Sequence, residues 1–174
     1  MSKTWTILCF CLFLLSCNEH QKEEKAIRYS QDSEQISIFK TVLQDYENAD
    51  WDKYQSHFAD SMELFYNSRQ PIDLAAAVAM HKENNAVLSS YDFQDSESEF
   101  EMVVTDAGET WVNFWGAWEG TIAENDSVIV IPVHITARFE NGKIVKEYLY
   151  FNNAGISDAL RLLNESRNLK DSIN

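Results

Sequence analysis

The chain has 174 residues, with 28 acidic side chains against 14 basic ones, a formal net charge of -14 and an apolar content of 45%. That length supports one domain with a substantial core, and so acidic a surface repels the phosphates of nucleic acid, which is excluded as a partner. Five glycines and 13% aromatic residues point to a packed, ordered domain and away from a repeat or low-complexity chain.

Lys3 is followed by an apolar run from Trp5 to Ser16 that closes at Leu14-Leu15-Ser16-Cys17. The run is too short to span a bilayer as a helix, which takes about 20 apolar residues, and a small residue precedes the cysteine where an export signal is cut. Residues 1–16 therefore read as a lipoprotein signal peptide, and Cys17 as the lipidated first residue of the mature chain. Each acyl methylene buried in a membrane contributes about 0.8 kcal/mol, so several chains hold durably. With Cys9 and Cys11 in the leader, no disulfide framework is available. Residues 17–32 follow as a polar tether with no hydrophobic periodicity. Within it, Lys22-Glu23-Glu24 resembles the short surface-export signal of lipoproteins in the Bacteroidetes. The expected location is the bacterial cell envelope, on a membrane facing the periplasm or the cell surface, with the lipid as the sole membrane contact.

The domain proper is expected over residues 33–170. Ile36, Phe39, Val42, Leu43 and Tyr46 recur at helical spacing behind a potential cap at Ser33, which predicts a helix from Ser33 to Asn48. A short helix from Trp51 to Phe58 is expected after Asp50, whose carboxylate can accept from the first free amides. Met62 to Tyr66 has strand composition. Pro71 suits the first turn of a third helix, for which the alanine-rich segment Asp73 to Leu88 has strong propensity. From Ser98 the period changes to two, predicting strands at Glu99–Thr105, Thr110–Gly120, Val128–Glu140 and Lys143–Asn152 in an antiparallel meander. A helix from Ser157 to Ser166 closes the domain, with Asp158 near its positive end and Arg161 further along.

Helices followed by a long antiparallel sheet make an α+β order. The segment Ser33 to Leu163 resembles the nuclear-transport-factor-2-like superfamily, specifically its SnoaL-like branch. The resemblance is carried by that order, by Trp51-Asp52-Lys53-Tyr54 through His57-Phe58-Ala59-Asp60-Ser61-Met62, and by Arg138-Phe139-Glu140-Asn141-Gly142-Lys143-Ile144 through Tyr150-Phe151-Asn152. It implies a cone-shaped fold in which N-terminal helices pack on a curved antiparallel sheet and enclose a pocket. It also implies acid-base chemistry by an aspartate or histidine inside the cone in those members that are enzymes, such as ketosteroid isomerases and SnoaL-type cyclases. Here Tyr66-Asn67 and Asn152-Asn153 stand where such patterns carry an acid.

Asn141-Gly142 is the strongest hairpin signal in the chain. A two-residue loop there sets Glu140 opposite Lys143, Phe139 opposite Ile144, Ile135 opposite Tyr148, Val133 opposite Tyr150 and Ile131 opposite Asn152. The face that packs on the helices then carries Ile129 to Phe139 at alternate positions together with Ile144, Lys146, Tyr148, Tyr150 and Asn152, while His134, Glu147, Leu149 and Phe151 point outward. On this register Tyr148, Tyr150 and Asn152 are the polar groups of the pocket. His81, on a helical stripe with Leu74, Val78 and Leu88, turns an imidazole inward, and Tyr66 and Trp115 complete the expected ligand-binding set. Aromatics on both faces of Trp111 to Trp118 require a cover on the outer side, either the terminal helix or the second subunit of a homodimer.

No metal-ligand spacing, phosphate loop or nucleophile elbow occurs, so no metal and no cofactor is implied. Two functions remain. One is an envelope-anchored module that binds a small, largely apolar molecule or a protein partner. The other is an isomerase, cyclase or hydratase-like enzyme on a small apolar substrate, with His81 as base and Tyr148 or Tyr150 as proton donor. A ring nitrogen of His81 within about 3 to 4 Å of a phenol, open to a cavity, favours the enzyme; a ring packed against backbone favours the module.

Overall fold

A computed structural model describes residues 27–173. The expected lipidation site Cys17 and the signal peptide lie outside the described residues. Chain order is β1 (Tyr29–Ser30), α1 (Glu34–Glu47), α2 (Trp51–Ser56), β2 (Phe58–Tyr66), α3 (Leu74–Asn85), β3 (Leu88–Phe93), β4 (Glu99–Val104), β5 (Thr110–Ile122), β6 (Val128–Glu140), β7 (Lys143–Phe151) and α4 (Ala154–Ile173).

The helices start where side chains can satisfy their free amides. Ser33 accepts from Ile36 N, Asp50 from Lys53 N and Asp73 from Ala76 N. Pro71 lies ahead of the third helix rather than inside it, because Asp73 takes the cap and Ile72 forms a bridge with Leu64. That helix also ends three residues before Leu88, where the chain enters a strand that the alanine-rich pattern concealed. Tyr29 and Ser30, expected in the tether, pair with Val103 and Met102.

The strands run β1-β4-β5-β6-β7-β2, with β3 also paired to β5. One half of β5, Thr110 to Trp115, pairs with β4, and the other half, Trp118 to Ile122, pairs with β3. The β4 to β7 meander is antiparallel as expected, but β2 joins the far edge in parallel beside β7, so the sheet is mixed. Its concave side packs on α1, α2 and α3 through Phe39, Val42, Leu64, Phe114 and Ile144, all essentially inaccessible.

The Asn141-Gly142 turn has φ of 52° and 75°, the positive pair that a two-residue hairpin loop needs. Glu140 pairs with Lys143 and Phe139 with Ile144, as expected from that loop. The next pair, however, is Arg138 with Lys146. Val145 is an extra residue on β7, a β-bulge, and side chains beyond it change face because the strand period is two. Ile135 therefore sits opposite Leu149, Val133 opposite Phe151, Thr136 opposite Tyr148 and His134 opposite Tyr150. Glu147, Leu149 and Phe151 point into the concave side, and Lys146, Tyr148 and Tyr150 point away from it, the reverse of the register drawn from the turn alone.

Candidate functional site

Between the concave sheet and the helices lies a cavity of about 470 Å3. Its walls are mainly apolar, from α1 (Phe39, Val42), β6 (Ile131, Ile135) and β7 (Leu149, Phe151). Asn67, Asn84, Asn153 and Ser157 lie along its lining, and two further clusters of polar side chains reach it.

The first is the Glu147 end. Glu147 is 4% exposed, and no hydrogen bond or ion pair is found for its carboxylate among the described residues. Burial alone pushes its pKa from the ordinary 4.5 up to about 8, since a charged carboxylate loses its hydration in an apolar enclosure. Around it stand the phenols of Tyr54 and Tyr66, both raised well above 10.0, chiefly by burial and then by nearby ionisable groups that include Glu147. The Tyr66 hydroxyl is 2.6 Å from His81 Nε2. His81 is enclosed by Tyr46, Trp51, Tyr54 and Tyr66 at ring-centroid distances of 5.0 to 6.0 Å, and burial lowers its pKa from 6.5 to about 4. Near neutral pH His81 is thus an uncharged imidazole. When Nε2 carries the proton it donates to the Tyr66 oxygen and leaves the phenol proton free for another acceptor.

At the second place, Tyr46 donates to Asn85 Oδ1 at 3.4 Å, and the Trp118 indole lies against the same phenol. Burial raises the Tyr46 phenol to about 12, an effect that Asn85 and Trp118 partly offset. Among the described residues Asn85 Nδ2 is a buried donor without a hydrogen-bond partner, and the Trp118 indole N–H, also buried, faces the Tyr46 phenol. Gly120 permits this placement of the indole: a Cβ there would fall 2.4 Å from Trp118 Cη2.

Of the residues expected to bind ligand, Tyr66 and His81 line the cavity and touch each other. Tyr148, Tyr150 and Trp115 do not line it. The Val145 bulge turns the two tyrosines onto the convex face, where Tyr150 stacks on His134 at 6.1 Å and His134 on Trp115 at 5.0 Å. Asn152 also stands apart from the cavity lining, its Oδ1 accepting the Ala154 N–H at the start of α4. Glu147 was missed because its position was counted from the turn without the bulge. The available signal was in the strand itself: with Glu147 inward, Leu149 and Phe151 share its face, which is the more apolar alternation.

No protein-family model matches the chain, and no curated protein matches it in sequence. Solved structures do resemble it. IdmH of Streptomyces antibioticus, a proposed polyketide cyclase, superposes with a TM-score of 0.58 at 12% identity, over 74% of this chain and 99% of that one. A protein of Shewanella putrefaciens assigned as a SnoaL-like polyketide cyclase gives 0.59 at 9% identity, over 76% and 88%. A protein of Catenulispora acidiphila with a ketosteroid isomerase-like fold, solved with trimethylamine, gives 0.54 at 11%, over 68% and 87%. The fold is accordingly the α+β cone of the ketosteroid isomerase and nuclear-transport-factor-2-like type. At such identities the likeness extends to the fold alone, and function has to be sought in the site.

Proposed function

We propose that the domain is an acid-base enzyme acting on a small, largely apolar substrate inside the cone, of isomerase, cyclase or hydratase type. The observation that carries this reading is Glu147: an unpaired carboxyl facing a 470 Å3 apolar cavity, with a pKa of about 8. A structural carboxylate is normally paired or solvated, whereas a proton-transfer group gains from a pKa near the working pH. Glu147 takes the role of base in place of His81, whose pKa of about 4 makes it a poor one near neutrality. Tyr66, positioned by His81, replaces the outward-facing Tyr148 and Tyr150 as the donor to a developing oxygen charge. Glu147 is mostly protonated below pH 8 and ionised above it, so a step using it as base accelerates as pH rises through 8.

The test is deuterium incorporation from D2O into the acidic C–H positions of 2-tetralone, followed by NMR across pH 6 to 10. Protein-dependent exchange with an inflection near pH 8, reduced by about 10²- to 10⁴-fold in Glu147→Gln, supports the reading. Equal rates for wild type and Glu147→Gln point to the binding module instead, since the same apolar cavity would hold a ligand without turnover.

We also propose a lipid anchor at Cys17, supported by the signal pattern preceding it, and a homodimer through the convex face, supported by the exposure of Trp115 and Tyr150 at 42% and 50%. Among the described residues no helix is long and apolar enough to cross a membrane. Metabolic labelling with a fatty acid, lost in Cys17→Ser, tests the anchor. Sedimentation of the chain from Asn18 onward, with and without Trp115→Ser/Tyr150→Ser, tests the dimer.

A further inference from the structure

We propose that the convex face closes on a second copy of the chain about a two-fold axis at His134, each Arg69 pairing with the partner's Glu99. The inference rests on the convex-face homodimer of the proposed function and adds to it the axis and the reciprocal ion pairs.

One row of side chains crosses the convex face from strand to strand. Glu99 on β4 stands opposite Trp115 on β5, Trp115 opposite His134 on β6, and His134 opposite Tyr150 on β7. Phe100 and Phe114, the chain neighbours of Glu99 and Trp115, pack on each other and on Phe39 inside, so the row points outward. Its rings stack, Trp115 on His134 and His134 on Tyr150, at interplanar angles of 27° and 13°. Beyond Tyr150 the loop after β2 continues the row. Asn67 holds that loop to β7, its Nδ2 donating to Phe151 O at 2.7 Å and its Oδ1 accepting from Phe151 N at 3.1 Å, and Arg69 borders the same surface hollow as Tyr150.

Both ends of the row are unmet charges. Arg69 and Glu99 are exposed and have no hydrogen bond or ion pair among the described residues, whereas Arg28, Lys53, Arg138, Lys146 and Arg161 each have an acidic partner. In a chain with twice as many acids as bases, an arginine left without one is set apart. The terminal helix does not cover the row: Ile156, Ala159 and Leu163 of α4 pack on Trp118, Ile129 and Ile131, on the concave side. Adjacent strands lie about 4.8 Å apart, so Glu99 and the Arg69 loop, two strands to either side of β6, are each roughly 10 Å from His134. The row therefore reads acid, aromatics, base with its midpoint at His134, and a half-turn about that midpoint lays it on its own complement. Trp115 then meets the partner's Tyr150, and Glu99 meets the partner's Arg69, the isologous arrangement of a two-fold dimer. Buried aromatics supply the affinity, and ion pairs at the rim fix the register and repel wrong pairings.

The experiment measures dimer affinity of the full chain in detergent, by energy transfer between copies that carry a donor or an acceptor fluorophore at the C-terminus. Arg69→Glu and Glu99→Arg, exposed positions whose change leaves the melting profile unaltered, are each expected to weaken self-association at least about 10-fold, because each sets like charges face to face twice. Mixed with each other, the two variants regain wild-type affinity to within about 3-fold, since both contacts of the mixed dimer then join opposite charges. The double variant Arg69→Glu/Glu99→Arg recovers in the same way. Single variants that associate like wild type, or a mixture that stays as weak as its components, overturn the pairing. If Trp115→Ser/Tyr150→Ser abolishes association while the charge variants leave it unchanged, the convex-face dimer stands and this axis falls. A wild-type chain that remains monomeric overturns the dimer and the pairing together, and one whose association ignores both sets of variants puts the dimer on another face.

Discussion

Lys146 and Glu147 are neighbours in the chain and opposites in environment. On the convex face Lys146 meets Glu63 at 2.8 Å, and Arg138 meets Glu109 at 2.7 Å and Glu140 at 3.0 Å, all partly solvated. One residue on, Glu147 has the same acidic chemistry as Glu63 and, among the described residues, no cation to meet. The hydrogen bond to Arg138 holds Glu109 below the ordinary carboxylate range, while burial raises Glu147 to about 8. Charge on the outside is neutralised by partners; charge on the inside is neutralised by a proton. The difference separates a solubilising surface from a reactive interior.

Placing a charge on the inner side of this division should have the largest effect. Phe114 is fully buried among Phe39, Phe93 and Phe100, so Phe114→Lys sets an ammonium among aromatic rings. Burying an unpaired charge in the core costs more than about 4 kcal/mol, and this variant should fail to show a cooperative melt by circular dichroism. Deletion of Val145, by contrast, joins Ile144 to Lys146 in a regular strand and keeps every later side chain on its present face, so that chain should still melt cooperatively.

Next in size is the pH dependence of stability. The folded pKa of Glu147 lies above its ordinary 4.5, so the native state binds the proton more tightly. Stability from this group is full below about pH 4.5 and is lost as pH rises toward 8. Glu147→Gln should remove that alkaline decline and be more stable than wild type above pH 8, by roughly 3 to 5 kcal/mol at the upper limit. His81 works in the other direction: its folded pKa of about 4 lies below 6.5, so its neutral form favours folding above pH 6.5 and stability falls as pH drops from there toward 4. Urea titrations at pH 5, 7 and 9 on wild type and Glu147→Gln separate the two limbs. A Glu147→Gln curve parallel to wild type from pH 5 to 9 would mean that the carboxyl is solvated after all.

The smallest effect belongs to the convex face. Lys146→Met with Glu63→Met should change stability by less than about 1 kcal/mol, because a half-exposed ion pair gains little over its hydrated parts. A larger loss in denaturant melts would make the outer pairs structural and erase the contrast.

Local patterns were sufficient where local forces decide. Helix starts at Ser33 and Asp50 and the loop at Asn141-Gly142 follow from capping and from backbone angles that few residues accept. The alternation of Ile129 to Phe139 identified the concave side of β6, because a one-residue error there would bury the polar side chains His134 and Arg138. His81 was legible as an inward group from helical spacing and Tyr66 as a site residue from the family resemblance, although their mutual contact, across α3 and β2, was not.

What the chain by itself determined is therefore the order of the helices and of the β4 to β7 meander, the α+β class and the turn that starts the final hairpin, all set by interactions within a few residues. Tertiary structure decided the rest. The parallel docking of β2 beside β7 and the strand after α3 depend on partners distant in sequence. The bulge at Val145 inverts every later side chain on its strand, and no short-range preference weighs enough to specify it. It is settled by which face of β7 gains more from burying Leu149 and Phe151 against the helices, a global balance that carries Glu147 inside with them.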